Sequence, residues 1–135
     1  MLWAIFLLLG FLYADKKQYK TAVEEGEKAA ALAGNDADTN LALANLYAQA
    51  GQGDKAMAIV RKYLDMGEKG GFVPPLTMAG VYAVLGDREQ MYQWLDKGIE
   101  ARSPGMLRLD VREVFDPYRS EPRFRKIVAQ AGLPE

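Results

Sequence analysis

Cysteine and histidine are both absent from the 135 residues. Without cysteine there can be no disulfide and no thiolate zinc site, and the redox compartment stays open. Without histidine the chain lacks the commonest general base, the imidazole of a catalytic triad and the commonest metal ligand. Most hydrolase and metalloenzyme mechanisms thereby lose their central residue, and nothing suggests catalysis by carboxylates alone. Neither sign of charge is in excess. Seventeen Lys and Arg against 18 Asp and Glu give a formal charge of −1, so no overall field steers the chain toward nucleic acid. Strand signals of any length are missing as well.

What the chain does have is a repeat. Tyr13, Tyr47 and Tyr82 stand 34 and then 35 residues apart. Lys17, Gly51 and Gly86 follow four residues after each, and Ala22, Ala56 and Met91 five after those. A period of this size marks stacked supersecondary units, each too small to bury its own apolar face. Written out, the copies run Phe6-x-x-Leu9-Gly10-x-x-Tyr13, Asn40-x-x-Leu43-Ala44-x-x-Tyr47 and Pro75-x-x-Met78-Ala79-x-x-Tyr82. Gly10, Ala44 and Ala79 let the first helix of each unit come close to the second, and the tyrosine one turn on fills the space beside them. Ala22 and Ala56 act likewise from the second helix.

This pattern resembles the tetratricopeptide repeat over residues 3–101. The copies depart from the family at the opening aromatic, which is Asn40 in the second and Pro75 in the third. They depart again at the late aromatic, where Gly26, Val60 and Leu95 stand. The resemblance implies an all-α, right-handed α-solenoid of three helix pairs, at about residues 3–34, 37–68 and 73–102 within 1–102. Residues 103–135 then form an irregular segment and a C-terminal capping helix.

Local signals agree with that division. Gln18 to Leu32 reads as a partner helix with Glu24 and Lys28 four apart on its outer face. Gly34-Asn35-Asp36 is a stop followed by caps, with Asp36 or Asp38 free to accept from the next helix's open amides. Residues 38–50 and 54–66 make the second pair around Gly51-Gln52-Gly53. Gly67 to Phe72 is a loop, and Pro74-Pro75 suits a first helical turn. Residues 74–85 and 88–101 make the third pair. Past Arg102 the register ends, and Pro122 to Ala131 puts Phe124, Ile127, Val128 and Ala131 on one face with Gly132 as a stop. Arg102-Ser103-Pro104, Phe115-Asp116-Pro117-x-Arg119-Ser120-x-Pro122-Arg123-Phe124 and Gly132-Leu133-Pro134 resemble the C-terminal end of tetratricopeptide arrays in large bacterial signalling and regulatory proteins. The resemblance implies that this tail closes the array.

Met1 to Ala14 is almost wholly apolar until Asp15-Lys16-Lys17. About 14 residues fall short of the roughly 20 that a membrane span needs. A signal peptide would carry a Lys or Arg before the apolar run and a small residue where Leu12 stands. The segment reads instead as the first helix of repeat one, whose remaining apolar face needs cover from a preceding repeat or a second protomer. Tethering to a membrane through residues 1–14 is the alternative.

Three further motifs have bland readings. Asp36-Ala37-Asp38-Thr39-Asn40 opens like a calcium loop, but Leu41 and Tyr47 occupy the Gly and Glu positions, which leaves helix capping. Gly67-Glu68-Lys69-Gly70-Gly71 has neither a preceding strand nor a following Gly-Lys-Ser/Thr, so it is a turn rather than a phosphate loop. Arg119, Arg123, Arg125 and Lys126 interleave with Asp116 and Glu121 as a solvated face.

In arrays of the family the first helices line a concave groove. Carried over by register, the groove positions are Leu7, Phe11 and Asp15, then Leu41, Asn45 and Gln49, then Leu76, Gly80 and Val84. The surface is mostly apolar, with Asn45 and Gln49 able to pair with a peptide backbone. The expectation is a cytoplasmic protein–protein interaction scaffold with no catalytic residue, metal or cofactor and with no nucleic-acid partner. It binds a peptide or protein segment, and its first helix offers a route to self-association. A non-binding end cap of a larger multidomain protein is the alternative role, and a membrane-associated or exported protein the alternative location.

Overall fold

The computed structural model describes residues 2–103, 106, 109 and 113–132, among which every regular element is helical. Pro104, Leu133 and Pro134 of the tail motifs lie outside the described residues. The chain divides into two compact units, Met1–Val73 and Pro74–Glu135. The third helix pair and the described part of the tail both fall within the second unit.

The first unit contains α1 (Leu2–Asp15), α2 (Tyr19–Ala33), α3 (Ala37–Gln49) and α4 (Gly53–Glu68). Antiparallel neighbours α1 and α2 pack on each other, α3 packs on both, and α4 packs on α3. Small residues set the spacing. A methyl added to Gly10 would lie 3.1 Å from the Ala22 carbonyl oxygen, so α1 and α2 meet with no room for a side chain there. The same methyl would lie 3.0 Å from Leu46 Cδ1, and one on Gly26 would lie 2.7 Å from that same atom. Leu46 of α3 therefore fills a hole between two glycines, one on each helix of the preceding pair. Ala14, Ala22 and Leu46 form the buried cluster around this hole, with Phe11, Tyr13 and Tyr19 packed against it. Gly26 stands where the family carries its late aromatic; in place of a ring, α2 receives a leucine from the next repeat.

The second unit contains α5 (Pro75–Leu85), α6 (Arg88–Glu100), a short 3-10 helix (Glu113–Tyr118) and α7 (Pro122–Gln130). Here the tail supplies the closing layer. The Phe115 and Phe124 rings meet at 5.8 Å, both buried with Ile127 and Leu109. Met106 lies against Gly98 of α6, where any larger residue would collide with its thioether. The Tyr118 phenol donates to the Ala83 carbonyl at 3.0 Å, fixing the 3-10 helix to the end of α5.

The turn inside each helix pair is the same motif three times. The amides of Gln18, Gln52 and Asp87 donate to the carbonyls of Tyr13, Tyr47 and Tyr82 at 2.9, 2.8 and 3.0 Å. The amides of Lys17, Gly51 and Gly86 donate to those of Ala14, Ala48 and Ala83. These paired bonds satisfy the last carbonyls of the first helix and need a left-handed residue between them. Gly51 and Gly86 supply it at a φ of 80°, but the first copy uses Lys17 at 61°, where a Cβ crowds the following carbonyl. Between pairs, Asp36 caps α3 as its type suggests. Its carboxylate accepts from the Thr39 amide at 3.0 Å and the Thr39 hydroxyl at 2.7 Å.

Candidate functional site

The groove positions fall on the first helix of each pair. Within the first unit, Leu7, Phe11 and Asp15 lie on α1 and Leu41, Asn45 and Gln49 on α3, and the two helices pack on each other. Leu76, Gly80 and Val84 lie on α5 in the second unit. Their accessibility is uneven. Asp15 is exposed and Leu7, Phe11, Gln49 and Val84 are half-buried, whereas Leu41, Asn45 and Leu76 are only 0, 4 and 4 % exposed. A partner reaches those three only if their neighbours move aside. Phe11 is half-buried and packs against the buried cluster at Leu46.

Asn45 and Gln49 are already engaged with each other. The Gln49 amide nitrogen donates to the Asn45 side-chain oxygen at 2.7 Å, one helical turn away. The pair holds Gln49 in place and leaves its own oxygen to accept from a peptide N–H. The polar link that sequence reasoning missed is behind this face. Tyr47 donates to Glu27 of α2 at 2.7 Å. Burial first, then the hydrogen bond and negative charge of Glu27, push the Tyr47 phenol up to about 12. The clue in the sequence was the conserved spacing of the repeat tyrosine, which says that the ring packs but not which carboxylate its hydroxyl meets.

On another side of the first unit, a cleft of about 410 Å³ is lined by Tyr19, Lys20, Val23, Glu24, Glu27, Ala50, Gln52 and Lys55. Its charges balance, two acids against two lysines, so it selects no anion or cation. Lys28, expected opposite Glu24, bonds Glu25 instead at 3.2 Å.

The terminal basic cluster serves the second unit as structure. Arg119 bonds Asp116 at 2.7 Å, as its interleaved acids suggest. Arg123 instead reaches α6, with Glu89 at 3.5 Å and Asp96 at 3.2 Å, and its guanidinium lies 4.5 Å from the Tyr92 ring centre. Glu121 accepts from Arg88 at 3.0 Å and from the Tyr92 phenol at 2.5 Å. Burial, followed by the bond and charge of Glu121, raises the Tyr92 phenol well above its ordinary range, with Arg88 and Arg123 opposing.

Residues 13–69 match the family model described as a tetratricopeptide repeat. That stretch starts at the first repeat tyrosine and runs through α2, α3 and α4, the helices whose packing and repeated turn are set out above. Over it the chain matches a tetratricopeptide repeat, and among the described residues the fold is all-α and built of helix pairs, consistent with a helical repeat. Repeats of this family commonly mediate protein–protein interaction and typically carry no catalysis of their own. No curated protein and no solved structure matches the chain. Among the described residues no helix is long and apolar enough to cross a membrane.

Proposed function

We propose that this protein is an interaction scaffold that takes an extended or helical apolar segment of a partner along α1 and α3, the first helices of its first two repeats. The observation that carries the reading is that α1 packs on α3, which lies within the stretch matching a tetratricopeptide repeat, with Leu7, Phe11 and Gln49 half-buried and Asp15 exposed. Half-exposed apolar side chains gain by being covered, and the Gln49 amide adds orientation through a partner's backbone. Asn45 supports that amide, while Leu41 sets the floor beneath it. Leu76 and Val84 hold the matching repeat positions on α5 of the second unit. No Lys or Arg stands at these positions, so the favoured segment is not an acidic tail held by its carboxylates.

Selection from a displayed peptide library tests this. The native chain enriches apolar segments, and the double variant Leu7→Glu with Gln49→Arg loses them while keeping native circular dichroism and melting. No enrichment by the native chain, or equal enrichment by the variant, contradicts the reading.

A further inference from the structure

The outer face of α1 carries Leu2, Ile5, Leu8 and Leu12 at 57, 56, 62 and 47 % exposure, a continuous apolar stripe on the side of the helix away from buried Gly10 and Ala14. The repeat shows what such a face is built to meet. One repeat later, Ile5, Leu8 and Leu12 become Thr39, Ala42 and Leu46 of α3, and all three are buried. Leu43 and Leu46 are the side chains that occupy the notch at Gly26 of α2. Their counterparts in α1 are Leu9 and Leu12, the same residue type at both positions. α1 thus carries both residue types of the α2–α3 contact, Leu12 exposed and Leu9 half-buried, and among the described residues no further notched helix covers Leu12.

We infer that the outer face of α1 is a docking surface for an amphipathic helix from outside this stretch of chain, one whose apolar stripe bears a glycine or alanine notch as α2 does at Ala22, Gly26 and Ala29. A second copy of this chain is the weaker fit. Its Gly26 notch is filled by Leu43 and Leu46, and its Gly98 notch by Met106, so neither is open to a neighbour. A lipid surface fits less well too, since α1 carries no Lys or Arg to meet headgroups within its length. The surface is distinct from the Leu7 and Gln49 side of the helix pair, so this inference and the peptide-binding reading can fail separately.

The test uses the full chain extended by a second copy of residues 19–36 joined directly to Trp3, which sets the added helix one repeat ahead of α1. We expect melting to rise by about 5 °C or more and the amide protons of α1 to exchange at least tenfold more slowly. Gly26→Leu in the added copy should abolish both gains. Leu12→Glu should leave the unextended chain nearly unchanged yet remove the gain from the extended one. No gain on extension, or a gain that survives either substitution, overturns the inference. So does a native dimer in sedimentation that Leu12→Glu disperses, which would assign the face to a second copy. Flotation of the native chain with phosphatidylcholine–phosphatidylglycerol vesicles that Leu12→Glu abolishes would assign it to lipid and overturns the inference equally.

Discussion

The two compact units finish their surfaces in different ways. The second unit is closed by its own tail. The 3-10 helix and α7 bury Phe115, Tyr118, Phe124 and Ile127, and the seam is laced by Glu121 to Arg88 and Tyr92 and by Arg123 to Glu89 and Asp96. The first unit has its tightest packing inside, at the two-glycine hole filled by Leu46, and leaves four large apolar side chains on α1 in the open. Its ion pairs, Lys28 with Glu25 and Lys69 with Asp65, are local, three and four residues apart in sequence. Both units solve the problem of a repeat that cannot cover its own apolar face, one with irregular chain and the other only in part. The lesson is that an apolar face covered within its own unit shows itself by long-range polar links over aromatic packing, and a face left exposed by a clean apolar stripe.

The largest effect that breaks this contrast is removal of the tail's anchor. Phe124→Ala should cost about 3–5 kcal/mol, because a buried ring leaves a cavity between the tail and α6. Urea unfolding followed by tryptophan fluorescence would read it, since Trp94 is buried in the second unit. By contrast Leu8→Gln on the open stripe should shift stability by less than about 0.5 kcal/mol, as surface changes do.

Next comes the glycine hole. Gly26→Ala should destabilise by about 1–3 kcal/mol, since the new methyl meets Leu46 with a second glycine-bounded wall behind it. Gly98→Ala should cost less in the same urea experiment, because the new methyl meets chiefly the unbranched, adaptable side chain of Met106. Equal costs at the two positions would mean that the holes are equally rigid.

Alkali sharpens the comparison in a different way. Tyr47 in one unit and Tyr92 in the other each donate to a carboxylate, and both phenols are raised above their ordinary value of 10.0. A phenol raised in the folded state contributes stability that is complete below pH 10 and is lost as pH climbs through the folded value, about 12 for Tyr47. Stability measured by urea should therefore be level from pH 8 to 9 and fall from pH 10 upward, and Tyr47→Phe with Tyr92→Phe should flatten the fall.

The smallest effect is a gain. Lys17→Gly should stabilise the first unit by roughly 1 kcal/mol, relieving the left-handed backbone that Gly51 and Gly86 adopt without strain in the other copies. A melting temperature that drops instead would show that the lysine stem contributes packing which outweighs the strain.

Much of the fold was legible in the sequence because the repeat is written in small residues and tyrosines with a fixed period. The three helix pairs, the Asp36 cap and the turn after each repeat tyrosine follow from local chemistry that a single chain displays. The partners of Glu27, Glu121 and Arg123 were not legible, since each bond crosses from one helix to another and the side-chain types alone allow several mates. Gly26 looked like a gap in the motif; only the position of Leu46 makes it a receptor for the next repeat. The candidate binding positions were legible by register, but register does not carry burial. Leu41 and Asn45 look equivalent to Leu7 and Phe11 in the motif and differ in exposure, because α3 has helices on more sides than α1.

Amide hydrogen exchange of the native full chain, resolved residue by residue, tests the contrast between a closed and an open end most directly. The account predicts that α1 exchanges fastest of the four helices in the first unit, while α6 and α7 exchange together as one protected block. Protection of α1 equal to that of α3 would contradict it, as would independent fraying of α7 from α6.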